Sequence, residues 1–329
     1  MESSRLAELI MNRMIRNPKG RSMSGIQKRV FGLARKLLAR HGKKFISYKL
    51  GGGEILLPLG HDLPLIRSIF PQYSSNIGRL CRYISNKYPD LHLIDIGANV
   101  GDTVAIVREL SQCPILCIEG DEYYFAILSE NIRRAEFLSV NAVCAFVATY
   151  TGEIGGRLIS VAGTAHFVEN SSSAMKAIKL SRLLNDFPEF QYPKLLKIDT
   201  DGFDCSILRS ELGWLGKRKP VIFFEYDPFF LQNQSYDGAR IFEDLLSIGY
   251  TFAIIYDNFG DYLISVDLYR DAQILTDLQN YYVGRCGQQY ADVAVFHGED
   301  RDLAEHIRTK EAEWSLRARE ERSNCVRKA

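Results

Sequence analysis

From residue 92 to residue 297 the chain alternates short, nearly uninterrupted apolar runs with segments of helical periodicity, and this constrains the fold more than any other feature. "LHLIDI" is followed by "DTVAIVREL", "PILCIEG" by "EYYFAILSENIRR", "KLLKID" by "CSILRSELGWL", and "PVIFFEYD" by "GARIFEDLLSIG". Apolar runs with no polar alternate are strands covered on both faces, the burial of a parallel sheet. Repetition of the strand–helix unit predicts a doubly wound α/β sheet. "LSVNAVCAFV" adds a strand, "YTFAIIYDNFGDYLISVDL" two strands around "DNFGD", and "ADVAVFH" one more. Residues 150–175 read as irregular, "SRLLNDF" as a short helix, and "IGRLCRYISNKYPD" as a helix leading into the first core strand. Upstream, "KFISYKLGGGEILLPLG" places two strand-like runs around three glycines and reads as a hairpin that can cover a pocket, with His61 facing it.

The ends differ from this middle in charge. Residues 1–48 hold 12 Lys and Arg against 2 Asp and Glu, residues 299–329 hold 8 against 8, and the middle holds 21 against 30. The chain divides accordingly into a basic arm over 1–48, an α/β domain over 49–298 and a charge-laced C-terminal helix over 299–329. The arm carries two helical patterns. One has Leu6, Leu9, Ile10 and Met14, and the other Ile26, Val30, Leu33, Leu37 and Leu38, with Lys28, Arg29, Arg35, Lys36 and Arg40 outside the stripe. Such a stripe packs on the domain or on a second subunit, giving a homodimer, or it lies on a membrane surface. Packing is the expectation here. No apolar run approaches the roughly 20 residues of a membrane-spanning helix, and no signal-peptide run stands at the start. The seven cysteines include no C-x-x-C pair; several sit in apolar runs and read as packing residues, and a reducing, cytoplasmic setting is expected.

"DIGANVGD" stands at the carboxyl end of the first core strand, where doubly wound sheets bind ligands. Gly97 and Gly101 give a G-x-x-x-G spacing. No Lys-Ser or Lys-Thr follows, as a P-loop needs, and Asn99 stands where a dinucleotide turn needs glycine. A carboxylate, Asp95, directed at the ligand suits a cation and disfavours a pyrophosphate. S-adenosylmethionine has an ammonium, a sulfonium and no phosphate. Glu119, ending the second strand, lies at the spacing of an acid that accepts from ribose hydroxyls.

Four stretches, "LIDIGANVGDT", "IEGDE", "LLKIDTDGFDCSIL" and "PVIFFEYD", resemble the FkbM family of S-adenosylmethionine-dependent methyltransferases over about residues 55–298. The resemblance implies a class I methyltransferase (Rossmann-like) fold, with a seven-stranded sheet of order 3-2-1-4-5-7-6 and an antiparallel seventh strand. It also implies methyl transfer to a hydroxyl of a sugar, polysaccharide or secondary metabolite. By position, Asp95, Gly97, Asn99 and Gly101 match the cofactor loop and Glu119 the ribose acid. "KIDTDGFD" matches the family signature at the end of the fourth strand. There the family commonly has Val-Glu-Gly and this chain has Thr200-Asp201-Gly202, which keeps the charge and draws it back by a methylene.

Methyl transfer to a hydroxyl needs the acceptor aligned and its proton removed. Asp199 and Asp201 are the candidate bases. They are alternatively ligands, with Glu225 or Asp227, for a divalent metal that the reaction does not require. His166 in "GTAHFVENSSS" is the third candidate base, on its near-neutral pKa. Tyr226, Phe229, Phe230 and Tyr236 offer an aromatic acceptor platform. Two other readings compete. One is a nucleic-acid methyltransferase or binder using the basic arm, against which the arm lacks interleaved aromatics and "DTDG" is not an N/D-P-P-Y motif. The other is a cofactor-binding or assembly protein without catalysis.

Overall fold

The computed structural model describes residues 1–15, 25–40, 44–161, 164–200, 202–232 and 240–327. The arm forms α1 (Arg5–Ile15) and α2 (Gly25–Arg40), followed by the hairpin β1 (Phe45–Leu50) and β2 (Gly53–Pro58) and by α3 (Leu63–Ile69) and α4 (Ser75–Lys87). Next come β3 (Leu93–Ile96), α5 (Asp102–Arg108), β4 (Ile115–Glu119), α6 (Glu122–Arg134) and β5 (Val140–Cys144). After β6 (Phe146–Val147), β7 (Gly152–Val161), β8 (Thr164–Ile178) and α7 (Leu180–Leu183), the alternation resumes with β9 (Leu195–Ile198), α8 (Asp204–Ser210), α9 (Leu212–Arg218) and β10 (Val221–Tyr226). The chain closes with α10 (Pro228–Gln232), α11 (Arg240–Ser247), β11 (Tyr250–Asp257), β12 (Tyr262–Asp267), α12 (Ala272–Val283), β13 (Ala291–His297) and α13 (Arg301–Arg327).

Among the described residues, the central sheet has eight strands in the order β12-β11-β13-β10-β9-β3-β4-β5. Strands β5, β4, β3, β9 and β10 run parallel, and β13 is antiparallel to both of its neighbours. The order 3-2-1-4-5-7-6 is contained in this sheet. The count of seven is corrected to eight, because β12 folds back on β11 as a hairpin at the edge. Side chains alternate across the pleat. Leu93, Ile115, Leu195, Val221 and Phe223 therefore pack on one face with α4 and the β1–β2 hairpin. Ile94, Ile96, Leu116, Ile118, Leu196, Ile198, Ile222 and Phe224 pack on the other. With both faces covered, the strands need apolar residues at every position, which is why the runs were continuous in sequence.

The 150–175 region is not irregular. Its described residues from Gly152 onward lie in β7 and β8, which pair antiparallel from Gly152↔Ala177 to Val161↔Thr164, with β6 parallel to β8. Its Gly- and Ser-rich composition reads as loop locally, whereas the ladder is made by two segments supplying each other's hydrogen bonds. Three further helices among the described residues carried no sequence expectation: α3, α10 and α12.

The arm is only partly a packing element. In α1, Ala7 and Met11 belong to the core, whereas Leu6 and Leu9 are exposed. In α2, Leu38 packs against the core, but Val30, Leu33 and Leu37 face outward. Of the packing expected on the domain or on a second subunit, the domain thus takes Leu38 and not these three. The C-terminal helix is anchored rather than merely solvated. Leu303, Ala304 and Ile307 are in the core, and Glu311 is fully buried against Arg79 of α4 at 2.7 Å. Among the described residues, no helix is long and apolar enough to cross a membrane.

Candidate functional site

A cavity of about 190 Å³ opens at the carboxyl ends of β3, β9 and β10, beside the start of β13. The glycine turn forms its floor. Gly97 and Gly101 have φ of 80° and 84°, and Asn99 joins them in the left-handed region at 48°. Gly97 must be glycine for a second reason: a Cβ there would stand 1.8 Å from the carbonyl oxygen of Asp199. The turn is thus pressed against the end of β9. It is tied to β4 on its other side. The N–H groups of Gly97 and Ala98 donate to Ile118 O at 2.9 and 3.2 Å, and that of Asn99 to Glu119 Oε2 at 2.7 Å.

The register of the parallel strands determines the electrostatics. Asp95 and Lys197 are partners across β3 and β9 and so lie side by side on one face. Lys197 Nζ is 3.0 Å from Asp95 Oδ1 and 3.2 Å from Asp199 Oδ2. Burial pulls the Lys197 ammonium down, but the Asp199 and Asp95 carboxylates outweigh it and hold it well above the usual lysine value. Burial raises Asp95 against the pull of Lys197. Burial likewise raises Asp102, and Asp199 adds to the rise.

Asp95 is fully buried and lies beneath the turn, outside the cavity lining, with its Oδ1 on Lys197. Its Oδ2 has no hydrogen-bond partner among the described residues. Gly97 and Asn99 line the cavity, while Gly101 packs behind it, where a Cβ would meet Leu128 at 2.9 Å. Glu119 lies just outside the lining and is held by the N–H groups of Asn99 and Asp121, both at 2.7 Å. Burial pushes its carboxyl up to about 7 against those hydrogen bonds.

Asp199 is half-exposed on the wall. Asp201 lies outside the described residues, as does the side chain of His166. The backbone of His166 sits in β8 opposite Ile159, and no residue of β7 or β8 belongs to the described lining. Glu225 is in the wall, whereas Asp227 accepts from Phe229 N at 3.0 Å at the start of α10. No group of three or more His, Cys, Asp or Glu among the described residues could hold a metal ion. The aromatic platform is corrected: Tyr226 is a core residue, and Phe229 and Phe230 pair with each other away from the cavity. Tyr236 lies outside the described residues.

The aromatics of the wall are instead Tyr73, Phe223 and Tyr290. Sequence reading missed Tyr73 and Tyr290, which come from loops that meet only in the fold. It also passed over Asn76, which donates to Asp292 Oδ2 at 3.0 Å, and Asp292 itself, which burial raises to about 7. Lys197 did carry a signal, a charge inside an apolar strand. His61 faces the cavity, its Nδ1 accepts from Leu63 N at 3.2 Å, and burial lowers it to about 4.

No family model matches the sequence, and no curated protein matches it. Among solved structures, the chain is similar to an O-methyltransferase from Bacillus cereus in complex with SAH (14% identity, 71% of this chain and 88% of that one, TM-score 0.38). It is similar to M. jannaschii TYW2 in complex with AdoMet (12% identity, 78% and 88%, TM-score 0.39). It is also similar to the methyltransferase FkbM from Methylobacillus flagellatus (10% identity, 71% and 59%, TM-score 0.32).

Proposed function

We propose that this chain is an S-adenosylmethionine-dependent methyltransferase whose acceptor is a hydroxyl on a saccharide, polysaccharide or secondary metabolite. The backbone of the glycine turn carries this reading. A pyrophosphate cradle needs free N–H groups and an open helix N-terminus. Here the N–H groups of Gly97, Ala98, Asn99 and Gly101 are all spent on protein acceptors. Asp102 adds a carboxylate in the first turn of α5 that accepts from its own backbone. Asp199 and Glu225 add further negative charge, and Lys197 is the one Lys or Arg in the described lining. That wall suits a ligand bearing an ammonium and a sulfonium and repels a phosphate. Each oxygen of Glu119 keeps a second lone pair for a ribose hydroxyl.

S-adenosylmethionine, when bound, supplies a methyl carbon already activated as a sulfonium. The protein contributes alignment and proton removal. Asp199 ends β9 in the cavity wall and accepts the proton of the acceptor hydroxyl, while Lys197 fixes its carboxylate from behind at 3.2 Å. Calorimetric titration of the full chain with S-adenosylmethionine, S-adenosylhomocysteine and NAD tests the reading. Both adenosyl ligands are expected to bind with Kd on the order of micromolar, or about −8 kcal/mol, and NAD not to bind. In an acceptor screen, Asp199→Asn should retain that binding and lose about 10²–10⁴ in turnover. Binding of NAD without either adenosyl ligand overturns the proposal.

A further inference from the structure

The two faces of α2 have opposite characters. The inner face is anchored: Arg35 donates from Nε to Leu59 O at 2.8 Å and from Nη2 to Gly60 O at 2.8 Å and Asp62 Oδ1 at 2.6 Å. The outer face is apolar, with Val30, Leu33 and Leu37 exposed by 58, 60 and 47%. At 100° per residue these three fall within about 60° of arc, on the side of the helix away from Arg35 and Leu38. Exposed Arg29 and Lys36 border the stripe. In α1, Leu6 and Leu9 are exposed as well, with Arg5 and Arg13 beside them. Between Glu8 and Glu54 the sequence has no acidic residue.

We propose that this outer face of α2 docks the protein on an anionic lipid bilayer, with the aliphatic stripe at the acyl boundary and Arg29 and Lys36 among the headgroups. A basic border along one side of an exposed aliphatic stripe is the composition that lies in the membrane interface rather than across it. A second copy of the chain is a poorer occupant. Three half-exposed aliphatic side chains offer far less than the roughly 800 Å² per partner of a stable interface, and two such arms carry like charge. The stripe also has a geometric relation to the cavity. Arg35 clamps the segment 59–62, and His61, Asp62 and Leu63 line the cavity. Docking through α2 therefore sets the 61–63 wall about one helix diameter, roughly 10 Å, from the lipid surface. This inference stands apart from the methyl-transfer reading.

Co-sedimentation of the full chain with extruded vesicles tests it, using phosphatidylcholine alone and phosphatidylcholine mixed with phosphatidylserine. Light scattering is run on the same samples. Binding is expected only to the anionic vesicles, weakening as salt is raised. Leu33→Ser with Leu37→Ser alters exposed positions, and circular dichroism confirms that the variant is folded. It should bind at least about tenfold more weakly, and Arg29→Gln with Lys36→Gln should lose the preference for anionic vesicles. Three results overturn the proposal: no binding to anionic vesicles, equal binding by the Leu33/Leu37 variant, or a dimer in solution that the same variant dissolves.

Discussion

Lys197 interrupts "LLKID" with a charge that the sheet gives no route to water, so its neighbours must supply counter-charges. Asp95 does so across the strands and Asp199 along its own strand. Asp292, farther along the wall, and Glu119, just outside it, are held by neutral donors instead. Burial holds Asp292 up to about 7, from an ordinary 3.8, against the Asn76 hydrogen bond, and Glu119 up to about 7, from 4.5, against two backbone N–H groups. Between the ordinary values and about 7 the native state retains protons that the unfolded chain has released. The stability these groups contribute is present in full below the ordinary values and is lost as pH rises through about 7. One such group changes stability by at most about 1.4 kcal/mol per pH unit. Urea midpoints measured without ligand should therefore fall from about pH 5 to about pH 8, and Asp292→Asn should remove about half of the fall. An unchanged slope in that variant would show that Asp292 is not the group titrating.

At the scale of elements, the glycine turn is where β3, β4 and β9 are fastened together. A methyl group at position 97 needs a left-handed backbone at φ 80° and a gap that the Asp199 carbonyl already fills at 1.8 Å. Gly97→Ala should cost at least about 2 kcal/mol in urea unfolding and abolish adenosyl-ligand binding, because relief requires β3 and β9 to separate at the cavity floor. Gly213→Ala, whose Cβ meets nothing within 4 Å, is the control and should be close to neutral. The core strands and this turn were legible in the sequence because burial on both faces leaves a continuous apolar run and because the turn's glycines sit at its end. The β7–β8 hairpin was not, since a ladder between two Gly- and Ser-rich segments leaves no mark on either alone. Tyr73, Asn76, Tyr290 and Asp292 were equally hidden: each is an ordinary residue locally, and only the long-range packing of α4 and β13 brings them to one wall.

At the scale of the molecule, the cavity wall depends on a contact made far along the chain. The Arg79 guanidinium in α4 donates to Glu311 of α13 at 2.8, 3.1 and 2.7 Å, to Gly260 O in the β11–β12 turn at 3.0 Å, and to Ser75 Oγ at 2.7 Å. The Trp314 ring lies 3.7 Å from it on the same helix as Glu311. One side chain thus joins α4, which carries Asn76, to the turn that carries Asn258, and both residues line the cavity. The C-terminal helix is the third member of that joint, a role that its charge-laced sequence does not convey. Removing a single partner leaves a buried charge uncompensated, so Glu311→Ala should cost about 3–5 kcal/mol. Arg79→Met with Glu311→Leu should cost less than the sum of the single changes, because the charge and its counter-charge leave together. A urea-unfolding cycle over wild type, Arg79→Met, Glu311→Leu and the double variant, with Glu311→Ala measured beside it, gives both quantities. Additive losses, or a Glu311→Ala variant within about 0.5 kcal/mol of wild type, would mean that α13 is held by its apolar face alone and that the wall of the cavity stands without it.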